Sequence, residues 1–197
     1  MVKIFSQRGA MFGLDARIAL AIFAGLSIVV GASMVQIMKD NRAEKILLER
    51  EKVASAVDAL QEDIGTYLYG EITTQNWGNL YRSLTRADVF NAATQPKWRG
   101  PYLDDEYSSI LHKTYSRIRM RSMPTAADIR NCTTPERVSR QCSYFLVLGW
   151  PTEPVPTEVI DAVNERLDGA GEATPETNGK VRTDGALLLI ELTTVLN

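Results

Sequence analysis

The chain has 197 residues, a formal net charge of −2 and two cysteines. This length suits one membrane segment together with one globular domain. Positive and negative residues are well mixed, so the composition gives no global signal for binding nucleic acid or an acidic partner.

The N-terminus consists of a short basic leader followed by a long apolar run. Lys3 and Arg8 lie in the leader, and residues 18–38 are almost continuously apolar. Because about 20 apolar residues cross the hydrocarbon core as a helix, this run predicts a membrane-spanning helix. The positive leader is expected to stay in the cytoplasm while the rest of the chain is exported.

Two charged residues, Asp15 and Arg17, stand at the start of the apolar run. A carboxylate at the edge of a membrane segment is costly unless it is paired, so Asp15 is a candidate functional residue. Residues two positions apart do not face each other on a helix, so Arg17 does not pair with Asp15 of its own chain. Arg17 is therefore expected to reach the cytoplasmic headgroups or to meet the acid of a neighbouring chain.

The N-terminus as a whole resembles that of type IV prepilins and type II secretion pseudopilins, through the leader, Gly9-Ala10-Met11 and Asp15. In these families a prepilin peptidase cuts after a small residue, the new N-terminal residue is methylated, and an acid at mature position five helps the subunit to enter a filament. The resemblance implies cleavage between Ala10 and Met11 and methylation of Met11, with cleavage after Gly9 as the alternative. Asp15 then becomes residue five and pairs with the free α-amine of a neighbouring subunit.

Two other interpretations of the N-terminus stay open. One is an ordinary signal-anchor in which Asp15 lies among the lipid headgroups. The other is a cleaved secretory signal with its cut near Gly31-Ala32-Ser33. The apolar run is longer than the usual signal core of about 7–15 residues, which disfavours the cleaved signal.

Helical periodicity continues after residue 38, although the polarity rises. Apolar residues recur mostly every three or four positions, with Arg50 filling one slot, at Ile46, Val53, Val57, Leu60 and Ile64. This stripe is typical of an amphipathic helix with one face against a partner, and a coiled-coil dimer is the alternative. No proline interrupts residues 11–70, so a single helix about 90 Å long is predicted.

Small residues lie four apart in the apolar run, Ala21 with Gly25 and Ser27 with Gly31. Such pairs allow membrane helices to approach closely. Each glycine also lowers helix propensity by up to about 1 kcal/mol. Any local unwinding of the helix during assembly is therefore expected between Gly25 and Gly31.

A connecting region with turn-forming residues follows residue 70. Within it, Trp98-Arg99-Gly100-Pro101-Tyr102-Leu103 resembles the Trp-x-Gly-Pro-Tyr-Leu segment between stem and sheet in major pseudopilins. The resemblance implies that Trp98 and Tyr102 cover the stem while Gly100 and Pro101 fix a bend.

Three strands and one helix are predicted in the remaining sequence. Residues 115–123 alternate between apolar and basic, and residues 144–150 and 186–196 are nearly continuous apolar runs typical of buried strands. Pro156 opens a short amphipathic helix, and Gly169 stands just past its end as a cap.

Together these elements predict an α+β fold, a long N-terminal helical spine packed on a small antiparallel sheet. The predicted organisation is a leader at 1–10, a membrane and assembly half of the spine at 11–38, an amphipathic stem at 39–70, and a head at 71–197.

The two cysteines, Cys132 and Cys142, lie in the part that is expected to be exported. Disulfides form and persist outside the cytoplasm, so a bridge between them is predicted, with two free thiols as the alternative. Closing so short a loop contributes roughly 2–3 kcal/mol to stability.

Motifs for catalysis are missing from the sequence, so an enzyme is not predicted. There is one histidine, His112, and no Cys-x-x-Cys, phosphate loop or nucleophile motif. A stripe of basic residues is formed by Lys113, Arg117, Arg119 and Arg121. Tyr115 is the one aromatic residue interleaved with them, so a solvated strand face is favoured over a nucleic-acid site. Oxygen ligands for calcium are offered by four acids, Asp168, Glu172, Glu176 and Asp184, although they lack the spacing of an EF-hand. No other cofactor or metal is predicted.

The resemblance implies a structural subunit that is cleaved, methylated and polymerised into a type IV pilus or a type II secretion pseudopilus. Its implied partners are the prepilin peptidase, other pilin-like subunits, the inner-membrane assembly platform and the membrane. The implied location is the bacterial inner membrane, with the head in the periplasm, and then a periplasmic or extracellular filament. The alternative is a monomeric, membrane-anchored extracytoplasmic binding domain whose helix is a simple tether.

Overall fold

The computed structural model describes residues 8–65, 68–73, 77–104, 118–124, 142–169 and 179–194. The chain divides into two compact units, Met1–Asn41 and Arg42–Asn197. Helix α1 spans Arg8–Ile64 and contributes residues to both units.

The described part of the first unit is the N-terminal part of α1. Every side chain described between residues 15 and 38 is exposed, including large apolar ones such as Phe23 and Ile28 at 70% and 73%. By length and composition this helix is able to cross a membrane. An apolar surface without a polar face is what distinguishes a membrane helix from an amphipathic one.

In the second unit, α1 buries one stripe of its surface, and the stripe follows the predicted spacing. Its members are Ala43, Ile46, Val53, Val57, Leu60 and Ile64. The helix ends at Ile64 rather than at residue 70. Gly65 adopts a left-handed conformation with φ +69°, and its N–H donates to the carbonyl of Gln61 at 2.8 Å, the geometry of a glycine that ends a helix.

The other α-helices among the described residues of the second unit are α2 (Leu68–Glu71), α3 (Trp77–Arg82) and α4 (Thr157–Leu167). The described strands are β1 (Ile118–Pro124), β2 (Cys142–Leu148), β3 (Val181–Asp184) and β4 (Leu187–Thr194). They form an antiparallel sheet in the order β1-β2-β4-β3. The predicted α+β fold is confirmed, and the sheet has one strand more than the sequence predicted.

The additional strand is β3, which pairs with β4 through a two-residue turn. Gly185 opens this turn at φ +60°, a conformation that a type II′ hairpin turn requires at its first position. The sequence Val-Arg-Thr-Asp of β3 is short and mostly polar, so it carries neither the alternation nor the apolar run that identifies a strand.

The main core lies between one face of the sheet and the helices α1 and α4. It contains alternate residues of the central strands β2 and β4, such as Tyr144, Leu146, Leu188 and Ile190. The intervening residues Phe145, Val147 and Leu189 form a smaller cluster on the opposite face. The guanidinium of Arg182 lies 4.7 Å from the centre of the Phe145 ring, which gives this face a cation–π contact.

Candidate assembly surface

The exposed apolar segment of α1, residues 15–38, is the most unusual surface among the described residues. Soluble monomers rarely expose a continuous apolar patch larger than roughly a few hundred Å². Such a surface needs a cover of lipid or of other apolar helices. We call residues 15–38 the bare segment.

The predicted cleavage site lies in the first turn of α1. The backbone is helical at Ala10 and Met11, so a peptidase has to open this turn to reach the bond between them. The first turn contains no acidic residue to complement the helix dipole. Its first N–H groups have no partner within the helix, so opening is favoured at this end.

Asp15 and Arg17 are both exposed. Neither of them forms an ion pair within the part of the chain that the structure describes. Charges in an otherwise apolar segment are candidate functional groups.

Gly25 and Gly31 both lie in the helical part of α1, and a Cβ added at either would meet nothing within 4 Å. Contacts among the described residues therefore give no reason for glycine at these positions. The nearby hydroxyls are satisfied locally, because Ser27 donates to the carbonyl of Phe23 and Ser33 to that of Val29, at 2.8 and 3.0 Å. The bare segment therefore leaves no serine hydroxyl unpaired in an apolar environment.

The connecting region packs against the last turn of α1 through Tyr102. Its hydroxyl donates to the Oδ2 of Asp63 at 2.5 Å, and the Nε of Arg99 lies 3.8 Å from Oδ1. An acid at the C-terminal end of a helix is disfavoured by the helix dipole, so these contacts offset an unfavourable charge. Burial, together with the hydrogen bond to Asp63, raises the pKa of Tyr102 to about 12.

Trp98 and Tyr102 enclose Gly100. Their rings meet edge to face at 5.7 Å, and the indole N–H of Trp98 donates to the carbonyl of Ser83 at 2.9 Å. A Cβ on Gly100 would lie 2.6 Å from Trp98 and 2.7 Å from Tyr102, so glycine is required here. The peptide bond between Gly100 and Pro101 is cis.

Arg50 has a structural role that the sequence analysis missed. Its Nε donates to the carbonyl of Glu191 at 2.8 Å and its Nη2 to that of Leu192 at 3.2 Å. The register of β4 with β3 runs only from Leu187 to Ile190, so both carbonyls lie beyond that register. The charged residue in an otherwise apolar stripe is the sequence signal from which such a role could have been predicted.

Asp168, one of the four acids considered as calcium ligands, binds the backbone. Both carboxylate oxygens of Asp168 accept backbone N–H groups, from Lys180 and Val181, each at 2.9 Å. Among the described residues no group of three or more His, Cys, Asp or Glu side chains could hold a metal. Glu172 and Glu176 lie outside the described residues.

The predicted disulfide and the basic face fall partly outside the described residues. Cys142 is buried at the start of β2, and no described cysteine is a free thiol. Cys132 is not described, so its pairing with Cys142 stays a prediction. The backbone of β1 includes Arg119 and Arg121, whereas four other residues of interest lie outside the described part: His112, Lys113, Tyr115 and Arg117.

Comparisons with protein-family models, with curated proteins and with solved structures found no match to this chain. The family resemblance therefore rests on the leader, on the spine and on short segments of the head.

Proposed function

We propose that this protein is a pilin-like structural subunit that is anchored in the bacterial inner membrane and then polymerised through its N-terminal helix. The observation that carries this proposal is the bare segment, in which every described side chain is exposed. Lipid covers such a surface in the membrane, and neighbouring helices of the same kind cover it in a filament. A pilus or a secretion pseudopilus provides both environments in turn.

Processing by a prepilin peptidase belongs to this proposal. Cleavage between Ala10 and Met11 creates a free α-amine, which is then methylated, five residues from Asp15 counting Met11 as the first. Asp15 is exposed and has no ion pair among the described residues. Its pairing with the α-amine of a neighbouring subunit neutralises two charges that are costly in an apolar environment.

The head is suited to the outside of such a filament because it is fixed to the stem part of α1. Arg50 binds β4, and Tyr102 with Arg99 binds Asp63, so contacts reach the stem near its middle and at its end. A head held at both places moves with its stem, which lets a force on the helix displace the head. The predicted disulfide between Cys132 and Cys142 suits a head that lies outside the cytoplasm, where disulfides persist.

The experiment that tests the proposal measures filament formation by Asp15→Ala. In cells with the complete assembly machinery, we expect this variant to reach the membrane and to be scarce in the sheared filament fraction. Asp58→Ala is the matched control, because Asp58 is an exposed acid of α1 outside the bare segment. Filament yield relative to the membrane pool should fall only for Asp15→Ala.

Normal filaments from Asp15→Ala would contradict the role given to this acid. If the wild-type chain stays in the membrane and never enters a sheared fraction, the helix is a tether. The alternative function, a monomeric membrane-anchored binding domain, would then replace the proposal.

A further inference from the structure

The two charges of the bare segment lie on opposite faces of α1. Asp15 and Arg17 are two residues apart, which in an α-helix corresponds to a rotation of about 200°. Both are exposed, and neither belongs to an ion pair among the described residues. One helix therefore carries an acid on one side and a base on the other at nearly the same height.

Each charge begins a row of residues spaced seven apart. The acidic row consists of Asp15, Ile22 and Val29, and its two apolar members are 59% and 64% exposed. The basic row consists of Arg17, Ala24 and Gly31, and a Cβ on Gly31 would meet nothing within 4 Å. A step of seven residues turns a row by only about 20°, so the rows stay on opposite faces.

The two rows complement each other in charge and in size. If a second helix lies parallel to the first and is displaced by two residues, about 3 Å, the acid meets the base. At the next two levels a large residue, Ile22 or Val29, meets a small one, Ala24 or Gly31. The small residues let the backbones approach closely, and the ion pair removes two uncompensated charges.

We infer that the basic row of one chain is covered by the acidic row of a second, parallel copy of the same chain. Because the rows lie on opposite faces, each contact leaves the acidic row of one copy and the basic row of the other copy free. Further copies can bind to these free rows, so association continues into an open array. The inference rests on the proposed function and adds a register to it. A carboxylate has two oxygens, so Asp15 is able to accept from Arg17 of a neighbour as well as from an α-amine.

Cysteine cross-linking in membranes tests the facing of the two rows. The full chain carrying both Ile22→Cys and Ala24→Cys is expressed without a prepilin peptidase, so that Met11 has no free amine. Mild oxidation should give a ladder of dimers, trimers and larger products. The matched control carries Phe23→Cys and Gly25→Cys, which have the same separation but lie about 60–100° round the helix from the two rows. The chain with only its native cysteines sets the background.

Charge exchange tests the ion pair in the same cross-linking chain. Arg17→Asp alone and Asp15→Arg alone should each reduce the ladder by at least about tenfold, because each brings two like charges together at the contact. The exchange Asp15→Arg with Arg17→Asp should restore the ladder. Pairing with an α-amine cannot produce this rescue, because that amine is not free in the unprocessed chain.

Each alternative has its own result. Equal ladders from the two cysteine pairs, or no rescue by the charge exchange, would overturn the inference while normal filament formation still supports the proposed function. Dimers without larger products would indicate a symmetric contact and overturn it as well. Cross-linking at the background level from both pairs would mean that lipid covers both rows, which would also overturn the inference. The proposed function is tested separately, by the amount of protein in the sheared filament fraction.

Discussion

The two parts of helix α1 treat apolar residues in opposite ways. In the second unit, Leu60 is 0% exposed and packs in a core formed by the sheet and α4, whereas Leu26 in the bare segment is 60% exposed. The same residue type on the same helix therefore stabilises the head in one place and depends on lipid or other chains in the other. One part of the helix therefore contributes to a folded core, and the other part presents an apolar surface to its surroundings.

The largest effect on stability should come from replacing the buried Leu60 with alanine. In the full chain in detergent, Leu60→Ala should lower the free energy of unfolding of the second unit by about 2–5 kcal/mol, because it leaves a cavity in the core. Leu26→Ala, the matched control, should leave head stability unchanged. Denaturant unfolding followed by tryptophan fluorescence measures both. Equal losses would mean that the bare segment is also part of the folded core.

Two glycines, Gly100 and Gly25, should respond differently to the same substitution. Gly100→Ala should destabilise the head by about 1–3 kcal/mol, because the new methyl group meets the rings of Trp98 and Tyr102. Gly25→Ala adds a methyl group where nothing lies within 4 Å, so the head should keep its stability. Thermal unfolding of the two variants is the measurement, and an unchanged midpoint for Gly100→Ala would contradict the described packing.

Alkaline pH should have a smaller effect, which is confined to the head. The pKa of Tyr102 is raised from 10.0 to about 12, chiefly by burial, so between these values the unfolded chain loses this proton while the folded chain keeps it. The contribution of Tyr102 to the free energy of unfolding should therefore be fully present below pH 10 and be lost as the pH rises toward 12. Tyr102→Phe should reduce this slope in unfolding experiments. Asp63→Asn should retain most of it, because burial is the larger cause; an unaltered slope in Tyr102→Phe would contradict this assignment.

Much of the fold could be predicted because its signals are local. The spacing of Ile46, Val53 and Leu60 identified the buried stripe of α1, and the apolar runs identified β2 and β4. Gly169 also occupies its predicted place beyond α4, with φ +88°. These features depend on periodicity and on backbone conformations that a single residue type favours.

Features that depend on contacts between distant residues could not be predicted. The strand β3 is defined by its pairing with β4, and the role of Arg50 by carbonyls 141 and 142 residues away. The partner of Tyr102 is Asp63, 39 residues earlier in the chain. For the candidate site, the sequence identified Asp15 and Arg17 as exceptional, but their predicted partners belong to other chains, so those pairings stay predictions.

The N-terminus of the protein, purified from its own membranes, tests whether the chain is a processed filament subunit. Intact mass and N-terminal sequencing should show a chain that has lost residues 1–10 and begins at a methylated Met11. A start at Ala10 would put Asp15 at position six and break the proposed register of the acid. A chain that keeps Met1 would contradict processing by a prepilin peptidase, and with it the claim that this protein is a filament subunit.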